Sequence, residues 1–331
     1  MLSAVAGAVR FVMVAIMTVV TFITPFLGKK EGKIERKAED CKAAFAAISD
    51  THLTDSFIRL GMFEFGLQDM AEATDRLDAL VINGDITDHG YPEHWQAFTD
   101  TLLKYDISDN NIMVLGNHDT WGGDRTGDYT KENFIKYSKE ATGREIDNVY
   151  FTAEINGYPV IVLGSQSDHT GPTFYQDQLD WFAEEMEKAS EKGLPIFVFC
   201  HQPFNGTHGL PYNWEMEKDA DPTEGGIGEH SDYILNICNQ YKNVIFISGH
   251  VHAGLSNTED GTNYSSVEKV GNVTSVNLPS YEYFDVLRHG HMVNGTGFVF
   301  EVYDGEILLR ARNFATGTWL ENYDVTIEIE K

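Results

Sequence analysis

The sequence has few cysteines and few basic residues, and each shortage restricts what the protein can be. Cys41, Cys200 and Cys238 are widely spaced among 331 residues, which excludes a disulfide-held scaffold and a cysteine-based zinc ribbon. Lysine and arginine total 24 against 51 aspartates and glutamates, so the formal net charge is −27. Because proteins that bind nucleic acid displace counterions with basic side chains, this composition argues against a nucleic-acid partner.

The sequence also lacks internal repeats and low-complexity tracts. Hydrophobic residues make up 42% of the chain and aromatic residues 12%, which is enough for a large buried core and argues against wholesale disorder. The length suits one large domain or two ordinary ones.

The N-terminal segment differs from the rest of the chain in charge and hydropathy. An uncharged apolar run covers residues 11–27 and is followed by Lys29 and Lys30. As a helix it would span roughly 25 Å, close to the ~30 Å hydrocarbon core of a bilayer. We predict an N-terminal membrane anchor over residues 1–28, a basic linker over 29–42 and a folded domain over 43–331. The alternative is a cleaved signal peptide and a secreted protein, although the small residues of a cleavage site are hard to find.

The side of the membrane on which the domain lies is left open by two opposing signals. The lysines and arginines after the apolar run would keep the domain in the cytoplasm under the positive-inside rule. The usual signal-anchor arrangement places it outside, and our prediction is the extracytoplasmic side.

Short apolar strands alternate with helical segments through the first two thirds of the chain, which predicts parallel βαβ units. The expected strands are 45–48, 79–83, 112–115, 160–163, 196–199 and 244–247, and the expected helices are 67–77, 95–103, 176–189 and 231–238. The last third is typical of antiparallel strands, at 273–278, 298–303, 307–312 and 323–329. Long irregular segments remain at 120–130, 202–229, 253–271 and 280–295, a length typical of functional loops.

Metal-ligating residue types follow the ends of these strands. They stand in five short segments: Asp50-Thr51-His52, Gly84-Asp85 with Asp88, Gly116-Asn117-His118-Asp119, His201, and Gly249-His250-Val251-His252. Open α/β sheets build their sites at the carboxyl ends of strands, and residues two apart on extended backbone share a face. The glycines permit tight turns and close backbone approach. Carboxylate, amide and imidazole donors together suit Mn, Fe, Zn, Ni or Co without choosing among them.

This set of segments resembles the five motif blocks of the calcineurin-like metallophosphoesterases, and its pattern is closest to bacterial phosphodiesterases of the cyclic-nucleotide type. The resemblance implies a four-layer αββα sandwich of two mixed β-sheets that holds two metal ions. It assigns one metal to Asp50, His52 and His252, the other to Asn117, His201 and His250, and a bridging role to Asp85. It also implies that His118, oriented by Asp88, protonates the leaving oxygen or stabilises the transition state. Asp88 stands where purple acid phosphatases have a metal-binding tyrosine, which argues against that branch.

The resemblance implies two-metal hydrolysis of a phosphoester, with a metal-bridged hydroxide attacking phosphorus in line, and the donor chemistry of these residues agrees with it. We expect a phosphodiesterase acting on a small-molecule phosphoester, because local metal charge attracts a phosphate group while the acidic surface repels polyanions. The alternatives are a phosphomonoesterase, a pyrophosphohydrolase acting on a nucleotide or lipid-linked substrate, and a non-catalytic metal-binding protein of the same fold. The last is weakened by His118 and Asp88, which metal binding alone does not need.

The remaining candidate residues lack a motif. Seven histidines are expected to have surface or hydrogen-bonding roles, with His208 the first to reconsider as a ligand; they are His89, His94, His169, His208, His230, His289 and His291. Three arginines could contact a substrate phosphate, although single arginines usually form surface salt bridges; they are Arg59, Arg125 and Arg288. We expect the apolar residues 57–65 to form a loop that packs on the core; the alternatives are that it lines a substrate pocket or contacts the membrane. We expect Cys200 to act as a small buried hydrophobic residue rather than a nucleophile.

Overall fold

The computed structural model describes residues 32–122, 127–167, 171–212, 221–256, 264–282 and 294–330. The predicted anchor at residues 1–28 lies outside this part of the chain, as do Arg125, His169, Arg288, His289 and His291. None of the helices in the described ranges has both the length and the hydropathy needed to cross a bilayer.

Strands and helices alternate along the described chain. In chain order they are β1 (Ala43–Ile48), α1 (Phe57–Ala71), β2 (Ala79–Asn83), α2 (Pro92–Leu102), β3 (Asn111–Val114), α3 (Gly127–Thr142), β4 (Phe151–Ile155), β5 (Tyr158–Val162), α4 (Gln176–Ser190), β6 (Ile196–Phe199), α5 (Ser231–Cys238), β7 (Val244–Ser248), β8 (Val267–Val270), β9 (Val273–Asn277), β10 (Thr296–Val302), β11 (Glu306–Asn313), β12 (Thr318–Trp319) and β13 (Val325–Glu328).

These strands form two mixed sheets. The first has the order β12-β11-β10-β1-β2-β3, with β13 also paired to β11, and the second has the order β4-β5-β6-β7-β9-β8. Pairing is parallel within β1-β2-β3 and within β5-β6-β7-β9, whereas β10, β11 and β13 form the antiparallel C-terminal part. The mixed α/β fold class predicted from the sequence is therefore confirmed.

The two sheets face one another across an apolar core. All six side chains of β1, four of them alanine, are buried, as expected for a central parallel strand covered on both faces. Phe45 of β1 stacks on Phe300 with a ring-centroid distance of 4.7 Å, and it meets Phe197 of the other sheet edge-on at 5.2 Å. This shared core fixes the strand ends of the two sheets relative to one another.

The helices bury apolar faces against the outsides of the sheets. Leu67 of α1, Phe98 of α2 and Phe134 of α3 belong to the core of the first sheet. Phe182 of α4 and Ile234 of α5 form a separate cluster with the second sheet. The βαβ pattern predicts helices that pack on the faces of the sheets in this way.

Several local expectations are wrong. The strand expected at 273–278 among antiparallel strands is β9, which pairs antiparallel with β8 but parallel with β7. Residues 57–65, expected to be a loop, form the first part of α1, so this helix begins ten residues before the predicted start at residue 67. Gly61 and Gly66 weaken the helical signal in the sequence, and tertiary packing decides that the segment is helical. The hydroxyl of Tyr281 packs against Gly66, where a Cβ would lie 2.0 Å from it. The second part of the expected irregular segment 120–130 begins α3, and segment 253–271 contains β8.

Residues 32–42 lie along the domain before β1. Ile34 is buried in the main core, and its carbonyl accepts a hydrogen bond from Thr74 N at 2.7 Å. Arg310 donates to the carbonyl of Glu35 at 2.8 Å, and Arg312 donates to that of Gly32 at 3.1 Å. Because Arg312 pairs with Gly297 beside the carboxyl end of β1, the segment runs along the sheet from that end toward the start of β1.

Candidate metal centre

The predicted ligands emerge from the carboxyl ends of five parallel strands, three in the first sheet and two in the second. Asp50 follows β1, Asp85 follows β2 and Asn117 follows β3, while His201 follows β6 and His250 follows β7. Because the sheets face one another, these ends meet at one edge of the molecule.

The structure brings the predicted side chains into two adjoining groups that share one aspartate. In each group the ligand atoms lie within 4.8 Å of one another; the first group is Asp50, His52, Asp85 and His252, and the second is Asp85, His201 and His250. Asp85 therefore has the central position that a bridging ligand requires. His118 and Asp88 form a third group with His52, also within 4.8 Å.

The backbone at these residues is strained. Five of the predicted ligands have positive φ: Asp50 (56°), His52 (43°), Asp85 (47°), His250 (69°) and His252 (53°). Residues other than glycine avoid this region, and such strain is typically found at functional sites held by surrounding structure. The adjacent glycines leave the necessary room, since a Cβ on Gly116 would lie 2.0 Å from Asp85 N and one on Gly249 would lie 1.9 Å from Ser49 Oγ.

The donor atoms fit a metal ion better than they fit one another. Asp85 Oδ2 and His201 Nε2 are buried, face each other at 3.2 Å, and have no hydrogen-bond partner in the described part of the chain. His52 Nε2 lies 3.0 Å from His252 Nε2, and His252 Nε2 lies 3.1 Å from Asp50 Oδ1. Carboxylate oxygens and imidazole nitrogens converging on common points are the coordination set of a divalent transition metal.

Buried charge supports the same interpretation. Burial raises the pKa of Asp50, but the neighbouring His201 and His252 outweigh it and hold that pKa below its usual range. Burial lowers the pKa of His201, yet Asp85 and Asp50 outweigh this effect and raise the pKa to about 9. Burial lowers the pKa of His52 to about 3, against the opposing charge of Asp85. Asp50 and Asp85 thus place negative charge in a buried site, and a bound cation would compensate that charge.

Main-chain acceptors set the orientation of two histidines. His201 Nδ1 donates to the carbonyl of Asn83 at 2.8 Å, which leaves Nε2 for the site. His118 Nδ1 donates to the carbonyl of Asp88 at 2.9 Å, while His118 N donates to Asp85 Oδ1 at 2.8 Å. His118 Nε2 then lies 4.0 Å from Asp85 Oδ2, beside the ligand groups without belonging to either.

Asp88 contacts His118 mainly through its main chain, because its carboxylate has other partners. Asp88 Oδ1 lies 3.2 Å from Arg59 Nη1 and Asp88 Oδ2 lies 3.0 Å from His89 Nδ1. Arg59 also donates to the carbonyl of His52 at 2.6 Å and pairs with Glu282 at 3.2 Å. Arg59 is thus part of the site's support, and Glu282, which belongs to none of the five motif segments, was not predicted from the sequence.

Asn117 is buried beside the second group. Its Oδ1 accepts a long hydrogen bond of 3.4 Å from Gln202 Nε2, so the residue after His201 helps to orient the amide. Gln202 was not among the predicted site residues. Its position directly after a ligand at a strand end was the signal that could have indicated it.

Asp119 is a third residue whose role the sequence did not reveal. Its buried carboxylate accepts hydrogen bonds from Gly116 N at 2.9 Å, Ile86 N at 3.2 Å, and both N and Oγ1 of Thr87 at 2.8 and 2.9 Å. It therefore ties the loop after β3, which carries Asn117 and His118, to the loop after β2, which carries Asp85 and Asp88.

Two other candidate residues, His208 and Cys200, are buried and have structural roles. His208 is buried, with Nδ1 donating to the carbonyl of Ser265 at 2.7 Å and Nε2 lying 2.8 Å from Ser275 Oγ, so both ring nitrogens already have partners. Burial raises the pKa of Cys200 to about 12, which is unsuited to a thiolate nucleophile. Both residues have the roles predicted from the sequence.

Comparison with known proteins agrees with this geometry. The chain is 28% identical over 168 residues to a probable cyclic nucleotide phosphodiesterase of Rhodococcus erythropolis, covering 47% of this chain and 51% of that protein. It is 23% identical over 188 residues to a probable glycerophosphodiester phosphodiesterase of Arcobacter nitrofigilis, covering 53% and 56%. The chain thus spans about half the length of these curated relatives.

Solved structures show the same fold at low identity. A dimetal phosphatase from Danio rerio superposes with a TM-score of 0.58 at 15% identity, over 88% of this chain and 100% of that one. A purple acid phosphatase from yellow lupin gives a TM-score of 0.58 at 12% identity, over 86% of this chain and 53% of that one.

The match to a protein family covers all five motif segments. The description of the matching family is calcineurin-like phosphoesterase, and the match extends over residues 43–254, which include every predicted ligand. The chain belongs to the calcineurin-like phosphoesterase family.

Proposed function

We propose that the protein is a metal-dependent phosphodiesterase that hydrolyses small-molecule phosphodiesters. The observation that carries this proposal is the sharing of Asp85 by two groups of buried donors at one edge of the fold. The names of the two bacterial relatives, both phosphodiesterases, favour a diester over a monoester. The acidic net charge of −27 favours small substrates over nucleic acid.

The chain's residues have distinct parts in this reaction. Bound at the two groups, metal ions would supply Lewis-acid activation of water and of a phosphoryl oxygen. Asp50 and Asp85 hold negative charge in a buried place, and the hydrogen bond from His201 to Asn83 presents Nε2 to the site. His118, with Nδ1 donating to a carbonyl, directs Nε2 toward the reacting groups, where the protonated ring can deliver a proton to the leaving oxygen.

The test is hydrolysis of bis(4-nitrophenyl) phosphate and 4-nitrophenyl phosphate by the full chain supplied with Mn²⁺, Zn²⁺ or Fe²⁺ in turn. We expect faster turnover of the diester, with loss after chelation. His118→Asn keeps a polar side chain but removes the proton donor, so kcat should fall by about 10²–10⁴ while metal content is retained. Faster turnover of the monoester would favour a phosphomonoesterase. Absence of turnover with every metal would contradict the proposed activity.

We also propose that residues 1–28 attach the protein to a membrane, with the domain on the extracytoplasmic side. The support is the uncharged run at residues 11–27. Membrane fractionation of the full chain, with a reporter fused after residue 331, tests both parts. Release of the protein by high salt or carbonate contradicts the anchor, and reporter activity only in the cytoplasm contradicts the orientation.

A further inference from the structure

A row of aromatic rings leads from the candidate metal centre to the surface. Trp121 packs on His118 with a ring-centroid distance of 3.7 Å, and His89 meets Trp121 edge-on at 5.8 Å. Tyr91 stacks on His89 at 5.5 Å with an interplanar angle of 12°. We call His118, Trp121, His89 and Tyr91 the aromatic row.

The row is open to solvent, unlike a neighbouring pair with the same geometry. Trp95 and Tyr137 also stack at 5.5 Å and 12°, but only 1% and 2% of their surfaces are exposed. Tyr91 is 41% exposed and the His89 side chain 43% exposed. The buried pair is explained by core packing, whereas the exposed rings leave aromatic surface available to a ligand.

The charges around the row favour a neutral ligand group. The carboxylates of Asp55, Asp88 and Glu93 act electrostatically on His94, whose ring meets Tyr91 at 5.3 Å. Arg59 lies nearby, but its single positive charge faces two carboxylates, Asp88 and Glu282, so the surroundings remain acidic. A second phosphate would therefore be repelled here, while a neutral aromatic ring would stack.

We propose that the aromatic row binds the aromatic group of the substrate's alcohol, so that the protein selects phosphoesters of nucleosides over those of aliphatic alcohols. This inference rests on the proposed function, because it needs the phosphate to be held at the metal centre. The row begins at His118, the residue assigned to the leaving oxygen, and so extends on the side from which the alcohol departs.

Adenosine 5′-monophosphate and ribose 5-phosphate test the proposal, because the second has a hydroxyl group where the first has the aromatic base. Their inhibition constants against bis(4-nitrophenyl) phosphate should favour the nucleotide by about tenfold or more in the unaltered protein, the size of one base–aromatic stack. Tyr91→Leu should reduce this ratio several-fold, whereas Tyr91→Phe, which keeps the ring, should preserve it. Trp121→Leu gives a second reduction in case the first variant folds poorly.

Tyr233→Leu is the matched control, since Tyr233 is 42% exposed on α5, outside the row; the ratio should not change. Calorimetric titration of the Mn²⁺-loaded chain with the same two compounds gives the ratio even for a protein that does not turn over. Absence of turnover alone therefore counts against the proposed function. Equal binding of the two compounds, or an unchanged ratio in both Tyr91→Leu and Trp121→Leu, overturns the aromatic row.

Discussion

Thr87 donates two hydrogen bonds to a single carboxylate oxygen of Asp119, from its main-chain nitrogen at 2.8 Å and its hydroxyl at 2.9 Å. Through this contact the loop that carries Asp85 and Asp88 is fixed to the loop that carries Asn117 and His118. The other carboxylate oxygen accepts from Ile86 N and Gly116 N. Asp119 thus holds together two motif segments without itself being a predicted ligand.

Replacing Asp119 should destabilise the fold strongly. Asp119→Ala leaves the buried donors of Gly116, Ile86 and Thr87 without acceptors, so we expect the free energy of unfolding to fall by about 3 kcal/mol or more. Urea denaturation of the metal-free protein measures this change. Asp324→Ala is the control, since its carboxylate accepts one main-chain bond, from Ala311 at 2.9 Å, and should cost about 1 kcal/mol. Equal losses in the two variants would show that Asp119 is not the tie between the loops.

The shared position of Asp85 predicts different metal contents for two isosteric variants. Asp85→Asn alters both donor groups and should leave little of the expected stoichiometry of about two ions per chain. Asp50→Asn alters one group and should leave about one ion, held by Asp85, His201 and His250. Elemental analysis of the purified full-length variants measures the ratio. Identical metal loss in both variants would contradict a bridging Asp85.

Alanine variants of two glycines distinguish the effect of backbone strain from the effect of crowding at the metal centre. Gly84 and Gly143 both have positive φ, at 86° and 71°, so alanine is strained at either position by roughly 1 kcal/mol. Only Gly84 lies against a ligand, since its Cβ would be 2.4 Å from His201 Nδ1, whereas nothing lies within 4 Å of a Cβ at Gly143. Gly84→Ala should therefore lower kcat at least tenfold and reduce metal content. Gly143→Ala should lose stability alone, and matching activities would refute the contact.

The segment before β1 should contribute to the stability of the domain. A chain that begins at residue 43 lacks the buried side chain of Ile34 and the carbonyls that receive Arg310 and Arg312. Relative to a chain that begins at residue 32, we expect a loss of about 3 kcal/mol in the free energy of unfolding. Thermal or urea denaturation of the two truncated chains decides the matter. Equal stabilities would mean that the segment only rests on the surface.

The sequence predicts the metal centre better than it predicts the support around it. Ligands such as Asp50 and His250 follow apolar strands, and strand order along a βαβ chain brings such ends together. Glu282 could not be found in this way, because its contact with Arg59 depends on where the loop after β9 meets α1. The left-handed backbone at Asp50 and His52 is likewise set by surrounding contacts rather than by local preference.

Helix α1 shows the same limit at the level of the fold. Its glycines and its apolar residues on both sides of Arg59 hide the helical period, whereas β6 and α5 lie where the pattern predicts them. Tertiary packing, here Tyr281 against Gly66, determines whether a weak segment becomes helical. Such contacts between distant residues carry no signal in a single sequence.

The central claim is that Asp85 joins two metal sites that together hydrolyse phosphodiesters. The most direct test measures hydrolysis of bis(4-nitrophenyl) phosphate by the full-length protein and by Asp85→Asn, each after chelation and after readdition of Mn²⁺. We expect activity only in the unaltered protein with metal, and a loss of at least about 10³-fold in the variant. Turnover that survives chelation, or that is the same in Asp85→Asn, would contradict the account.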